Sequence, residues 1–446
     1  MKQIFHWMVH VVEHFLFIVN FYVSNNVMRI NSNIVKNLSA YFFASIITAI
    51  LGVLVNPVLA SKLSHEDYAI IGYYASFGTL LIPIVSFSLQ SYYARNYFRV
   101  DEQKRVQIYN TLMSMFIIFG FAAFVIFFFL YYWYHSYFVT SISFNPFALL
   151  SFLPLYLSSY YNLYLMDLRM ENKAFKYAKI TVLNSLIAAL LSILLVYVFD
   201  LGAMGRLVAL LLTCIVFSLY SILIKKISFT WNVDIVKNAL AFCWPLTVSG
   251  ILSFFFLGID RPMLEKIHDT YNLGLYNVGL QISSYLAIFG TVLLQTFDPD
   301  IYKYTSTNQH RKVVMVCASI ILLTLIPNLM FMFVSEYLID FLTAGRYVES
   351  SGFANILCLK NVATTFAFVV SGVLIGYGYS KFELFNRIIG SVCSLLSYYF
   401  LITNYSFYGA AWGQSISWLL MGLISIICLM LIRKRNEKIK CSSTGI

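Results

Sequence analysis

Charge is scarce in this sequence, and negative charge scarcer still. Only 11% of its 446 residues are Asp, Glu, Lys or Arg, with 19 acidic residues against 30 basic ones. A soluble domain carries roughly 25% charged residues, so a water-facing surface is excluded for most of the chain. No long hydrophilic stretch interrupts it, which excludes an appended soluble catalytic domain. None of the seven cysteines forms a CxxC or lies at ligand spacing from a histidine. Neither a disulfide framework nor a metal site is expected, and with no enzymatic motif present, neither is a cofactor. What the chain does have is apolar surface: 60% hydrophobic residues, 18% aromatics and a mean hydropathy of +0.78. Only a bilayer solvates such a composition.

A membrane-crossing helix needs roughly 20 apolar residues. Twelve apolar runs meet that requirement, at about 40–60, 68–94, 107–133, 146–166, 178–198, 202–224, 240–259, 273–297, 313–334, 353–377, 384–402 and 408–432, read from periodicity and length. Aromatics gather at their ends, as in Tyr131-Tyr132-Trp133-Tyr134, where amphipathic rings favour the headgroup level. Alternate connections, beginning with 95–106 and finishing with the tail at 433–446, hold 21 Lys and Arg; the opposite set holds five. Positive-inside bias places the first set, and both ends of the twelve-span unit, in the cytoplasm. The formal charge of +11 is therefore a topology signal rather than the mark of a nucleic-acid partner.

Residues 1–39 form an extension before the first span. Ile4–Val23 is apolar but carries His6, His10, Glu13 and His14. Histidines four apart share a helix face, which suits metal binding. An interfacial amphipathic segment, or a translated stretch upstream of a start at Met28, accounts for them more simply.

The two halves resemble one another. Asp67, Gly72 and Tyr74 recur as Asp269, Gly274 and Tyr276, an offset of 202. Lys173-Ala174-Phe175 recurs loosely as Lys381-Phe382, and Gly202-Ala203-Met204-Gly205 as Gly409-Ala410-Ala411-Trp412-Gly413, at offsets of 208 and 207. Three matches in one order at one period indicate a duplication. The expected fold is all-α and integral to the membrane, with about twelve helices in two six-helix bundles related by a parallel pseudo-two-fold. Its divisions are a first lobe over 40–224, a linker over 225–239, a second lobe over 240–432 and a basic tail over 433–446. Repeats of this kind frame a substrate path between lobes that rock in alternating access.

Several stretches resemble a known family. Asn56-Pro57 through Asp67-Tyr68 and on to Arg95 is similar to the opening helix pair of the O-antigen flippases (Wzx). Those polysaccharide transporters belong to the multidrug/oligosaccharidyl-lipid/polysaccharide (MOP) superfamily. So are Trp244-Pro245 through Gly250, Gly258-Ile259-Asp260-Arg261, Leu273-Gly274-Leu275-Tyr276-Asn277, Gly376 through Lys381, and Tyr408 through Gly413. The likeness spans residues 36–435. It implies a MATE-like fold in the bacterial inner membrane. It also implies a flippase for undecaprenyl-pyrophosphate-linked oligosaccharide repeat units, with a polysaccharide polymerase and a chain-length regulator as candidate partners. A MATE-type multidrug exporter would expose carboxylates in its first lobe, and the first span has none. Lipid II flippases usually have fourteen spans where twelve are counted here. A polymerase would need a large outer loop, and the longest expected one, 335–352, holds no acid/base constellation.

Moving pyrophosphate past hydrocarbon requires a polar path, because a bare charge there costs several kcal/mol. Intramembrane ionisable residues are the candidates for lining it. Lys360, with Asn361 beside it, lies about 12 Å into the tenth span at 1.5 Å per residue; it either snorkels to the interface or faces the path as a cation. Arg95, near Gln90 at the end of the second span, is a positive-inside anchor or a pyrophosphate contact. Asp260 and Arg261 close the seventh span as a local ion pair or meet substrate. Arg206 opens the sixth as a headgroup anchor or a substrate contact. Pro57, Pro83, Pro154, Pro245 and Pro327 fall in the spans, where each removes a backbone hydrogen bond and bends its helix.

Overall fold

In hydrocarbon every backbone polar group must be satisfied within the chain, and helices achieve that locally. The computed structural model describes residues 32–225, 228–377 and 379–443, the side chains of 32–42, 295, 299, 380–383 and 432–443 excepted. The reading of residues 1–31, including the histidine face, lies outside the described residues. The first half of the chain supplies α1 (Ser32–Ala60), α2 (His65–Ser86), α3 (Leu89–Asn96), α4 (Glu102–Met115), α5 (Phe121–Phe138), α6 (Phe147–Met170), α7 (Ala174–Ile193) and α8 (Gly202–Ile224). The second supplies α9 (Val233–Leu252), α10 (Phe254–Leu257), α11 (Asp260–Glu265), α12 (Thr270–Ser284), α13 (Ala287–Ser306), α14 (His310–Leu342), α15 (Ser351–Gly376) and α16 (Ser380–Ser443).

Among the described residues, ten helices are long and apolar enough to cross a membrane. They depart from the twelve expected ranges at two places. The stretch 384–431 counts once, yet Ser406 (φ 53°, ψ −129°) breaks α16 into two arms. The 24-residue α6 falls outside the ten, its apolar run diluted by Ser158-Ser159-Tyr160-Tyr161-Asn162. Side chains on the outside are apolar, with Phe129, Leu223, Phe333 and Tyr399 all exposed, the reverse of a soluble surface.

Several spans are interrupted. α2 gives way to α3 through Phe87 and Ser88, both in the left-handed region (φ 46° and 51°). The seventh span is cut into α9, α10 and α11, and the eighth is cut between α12 and α13. Breaks free carbonyls that lipid cannot serve, so neighbouring side chains serve them. Ser391 donates to Leu252 O (3.4 Å), Ser394 to Phe255 O (2.7 Å), Tyr398 to Phe256 O (3.2 Å) and Asn361 to Ser283 O (2.8 Å). The five expected prolines all lie inside helices.

The repeated residues fall at structural junctions. Asp67 closes a capping box with Ser64 and also accepts from Ala203 N at 2.7 Å, tying the start of α2 to that of α8. α2 packs on α6 within the first half and on α9 and α12 of the second. Gly72 and Gly274 mark the α2–α12 crossing. A Cβ on Gly72 would lie 2.0 Å from the Asn277 side chain, and one on Gly274 2.2 Å from the His65 carbonyl oxygen. Gly72 and Gly274 are thus points of close contact between the halves, as small residues let membrane helices approach.

Candidate functional site

Residues from two of the basic connections, Arg95 and Arg99 of one and Asn238 of the other, come together at an open cleft of about 460 Å³ between α3 and α9. Tyr92, Arg95, Asn96, Arg99, Asn238 and Phe242 line it, with no carboxylate among the lining residues. The break at Phe87-Ser88 sets α3 apart as an eight-residue helix with Arg95 in its last turn, where the helix dipole favours a cation. The Arg95 guanidinium stacks over the Phe242 ring from the second half, 4.4 Å to its centroid. Face stacking leaves the in-plane N–H donors free to meet an oxyanion. Asn96 Nδ2 donates back to Tyr92 O at 2.9 Å, which holds that side chain against the helix. Two guanidinium groups without an opposing carboxylate suit a phosphate or pyrophosphate.

Deeper in the bundle, α11 begins with Asp260, which is fully buried. Its Oδ2 accepts from Tyr276 (2.6 Å) and Gln414 (2.7 Å), while Arg261 Nε stands 3.8 Å away. Asp260 Oδ1 and Arg261 Nε are buried without a hydrogen-bond partner among the described residues. Arg261 Nη1 reaches Gly72 O of the first half at 3.5 Å. Lys360, half-buried in α15, lies within electrostatic range of both Arg261 and Asp260 and makes no hydrogen bond or ion pair among the described residues. Asp260 and Arg261, expected at the end of a span, are therefore interior groups, and Lys360 joins them.

The remaining expected residues are dispersed. Arg206 donates to Ser192 Oγ of α7 at 2.5 Å, within the first half. Asn361 turns away from Lys360 toward helix packing, bonding Ser283 O and Asn328 Oδ1. Gln90 is half-buried in the first turn of α3 and is not among the residues lining the cleft. Arg99, which the sequence offers only as one of the basic connection residues, lies in the turn after α3 ends at Asn96, and that turn brings it to the same cleft as Arg95. A second cleft, of about 260 Å³, holds Asp298, Tyr302, Ser371 and Arg387. Near the basic end, Lys225 and Tyr93 both meet the buried Asp167, and Lys225 also reaches Glu171 at 3.4 Å. Burial pushes the Glu171 carboxyl up, but Lys173 and Lys225 beside it bring it below its usual range on balance. Nothing in the sequence pairs Lys225 with a carboxylate some sixty residues earlier, so these contacts had no sequence signal. No group of three or more His, Cys, Asp or Glu able to hold a metal occurs among the described residues.

Comparison with known proteins gives a consistent picture. The family model described as polysaccharide biosynthesis protein matches residues 34–299. A capsular polysaccharide biosynthesis protein, CapF of Staphylococcus aureus, is 25% identical over 204 residues, covering 43% of this chain and 50% of that protein. The match thus spans about half the length of that relative. Among solved structures, the lipid II flippase MurJ in an inward closed conformation superposes with a TM-score of 0.69 at 14% identity, over 87% of both chains. An inward-facing multidrug resistance MATE family transporter of the MOP superfamily does so with 0.68 at 14% identity, over 87% of this chain and 96% of that one.

Proposed function

The chain belongs to the polysaccharide biosynthesis protein family, and from that premise we propose that it flips a lipid-linked oligosaccharide across the bacterial inner membrane. The cargo is an undecaprenyl-pyrophosphate-linked repeat unit of a surface polysaccharide, O-antigen or a related polymer, carried from the cytoplasmic to the periplasmic leaflet. The observation that carries this reading is the carboxylate-free cleft holding Arg95 and Arg99. With the basic loops cytoplasmic, the cleft opens where such a lipid is assembled, and its two guanidinium groups match a pyrophosphate. Two six-helix lobes, 40–224 and 240–432, rock about the α2–α12 crossing and expose the path to each side in turn. Along that path Arg261 and Lys360 against Asp260 leave one surplus cation to receive the anionic head, and Arg206 is a further candidate contact. A polymerase and a chain-length regulator would act on the product. No bond is made or broken in this step.

The test is to delete the gene and extract lipid-linked glycans, complementing with wild type, Arg95→Gln/Arg99→Gln and Lys360→Gln. Loss of surface polysaccharide with single repeat units accumulating on undecaprenyl pyrophosphate is expected. The arginine pair variant should rescue at least about tenfold less well, since hydrogen bonds to charged groups contribute about 1.5–3 kcal/mol each. Unchanged polysaccharide with no such intermediate would refute the substrate class, and lipid II and drug transport would then be assayed.

A further inference from the structure

The end of the bundle away from the basic loops is shut, and helix ends from the two halves shut it. α1 and α14 both stop there, and neither has a basic residue in its last turn. The following turns serve most of their final carbonyls, Pro57, Val58 and Leu59 in one and Ile339 and Asp340 in the other, and the last carbonyl of each helix is served by the opposite half. Arg346 Nη1, just past α14, donates to Ala60 O (3.1 Å) and Ser61 O (2.8 Å) at the end of α1. Tyr347 OH donates to Leu63 O at 2.5 Å. In return Asn56 Nδ2 of α1 donates to Leu342 O, the last residue of α14, at 3.0 Å. Gln281 of α12 holds Asn56 in place at 3.0 Å. Burial pushes the Tyr347 phenol up to about 12, so it stays a neutral donor at ordinary pH.

A second group of contacts closes the same end. Glu265 Oε1 at the end of α11 accepts from the backbone N–H groups of Thr140 (3.1 Å) and Ser141 (2.9 Å), ahead of α6. His268 Nδ1 meets both of their hydroxyls, at 3.0 and 2.9 Å. The His65 ring lies between Tyr271 and Tyr347, with centroids at 4.2 and 4.6 Å.

We infer that these contacts form a single cross-half latch, in which α1 and α14 cap each other's C-termini and Glu265 clamps the loop before α6. Every bond in it joins the first half to the second, so none survives separation of the halves at this end. Arg346 is exposed, whereas Asn56, Glu265 and Tyr347 are buried, so opening exchanges the arginine's bonds for bonds to water at small net cost and wets the others as the halves part. Only the statement that cargo leaves when the latch opens rests on the flippase reading.

Hydrogen–deuterium exchange of the full chain in lipid nanodiscs tests it, comparing wild type with Arg346→Ala, Arg346→Lys and Glu265→Gln. If the latch is one unit, Arg346→Ala speeds exchange of the Thr140 and Ser141 amides by about tenfold, although Arg346 does not touch them. Glu265→Gln reciprocally speeds exchange across 60–65 and 343–347. Amides at 108–116, far from the latch, keep wild-type rates in both, and Arg346→Lys restores most of the protection by leaving a cation at the α1 terminus. Changes confined to each substitution's own neighbourhood would overturn the single latch, as would unchanged exchange throughout. A general rise that includes 108–116 would also overturn it, by making these contacts global stability elements. Glycan extraction from cells carrying the same variants is scored separately. Normal exchange coupling with no glycan phenotype would leave the latch standing and remove its part in release, while the deletion strain decides the flippase reading.

Discussion

Lys225 sits at the end of α8, one quarter exposed, against an Asp167 carboxylate that is almost wholly buried. Breaking a buried pair by deleting one partner strands the other charge, at about 3–5 kcal/mol. Lys225→Met should therefore lower the thermal unfolding midpoint in detergent sharply, and adding Asp167→Leu should recover most of the loss; equal damage in the double variant would refute the pairing. Glu171 adds a pH dependence. Its carboxyl lies below its usual range in the folded protein, so its contribution is present above the unfolded value and is lost as pH falls through the folded one. Proteolytic nicking near residues 228–230, where Asn110 and Ser114 hold Ser228 and Thr230, should accelerate only in acid below that range. At this scale the sequence is half informative. A lysine or arginine amid apolar residues announces itself, which made Arg95 and Lys360 visible. Asp167 and Asp260 owe their burial to tertiary partners, Lys225 and Tyr93 for one and Tyr276 and Gln414 for the other, and no spacing rule supplies those.

Spans were legible as apolar runs because hydrocarbon allows helix and little else; their interruptions were not. The breaks around Gly258 and at Tyr285-Leu286 depend on Ser394, Tyr398 and Asn361 reaching the freed carbonyls, and at Phe87-Ser88 Cys243 Sγ reaches Ser88 O. The glycines of the repeat were visible as a pattern, and the structure supplies the reason for them. The two differ in what a methyl group would meet. At Gly72 it meets the buried Asn277 amide, which can move only by giving up its 2.9 Å bond to Leu273 O, whereas at Gly274 it meets the backbone of His65, which has no rotamer to change. Gly274→Ala should therefore destabilise more than Gly72→Ala, within the range of about 1–3 kcal/mol typical of overpacking. Thermal unfolding in one detergent ranks them, and the reverse order would show that α2 and α12 cross elsewhere.

Charge and duplication set the behaviour of the whole molecule. Under the proposed flipping function the arginine cleft is the place of loading, and the latch inferred above holds the far end shut. Loading and release are then separable, because the cleft and the latch lie at opposite ends of the bundle. A tether across the far end should abolish release without disturbing loading. Thr140 and His268 already touch, Oγ1 to Nδ1 at 3.0 Å, so a Thr140→Cys/His268→Cys pair in a cysteine-free background can be joined by a short bis-methanethiosulfonate, which forms a disulfide to each thiol with sulfinate as the leaving group. The tethered protein should bind undecaprenyl pyrophosphate within about twofold of the untethered one, as distant sites act independently, yet move no lipid-linked glycan in proteoliposomes. Reduction of a cleavable tether should restore transport. Transport that continues while the tether holds would mean that cargo does not leave between the halves, and alternating access about the α2–α12 crossing would fall with it. Lost binding alongside lost transport would mean that the two ends are rigidly coupled, so that an anion in the cleft already senses whether the far end is closed.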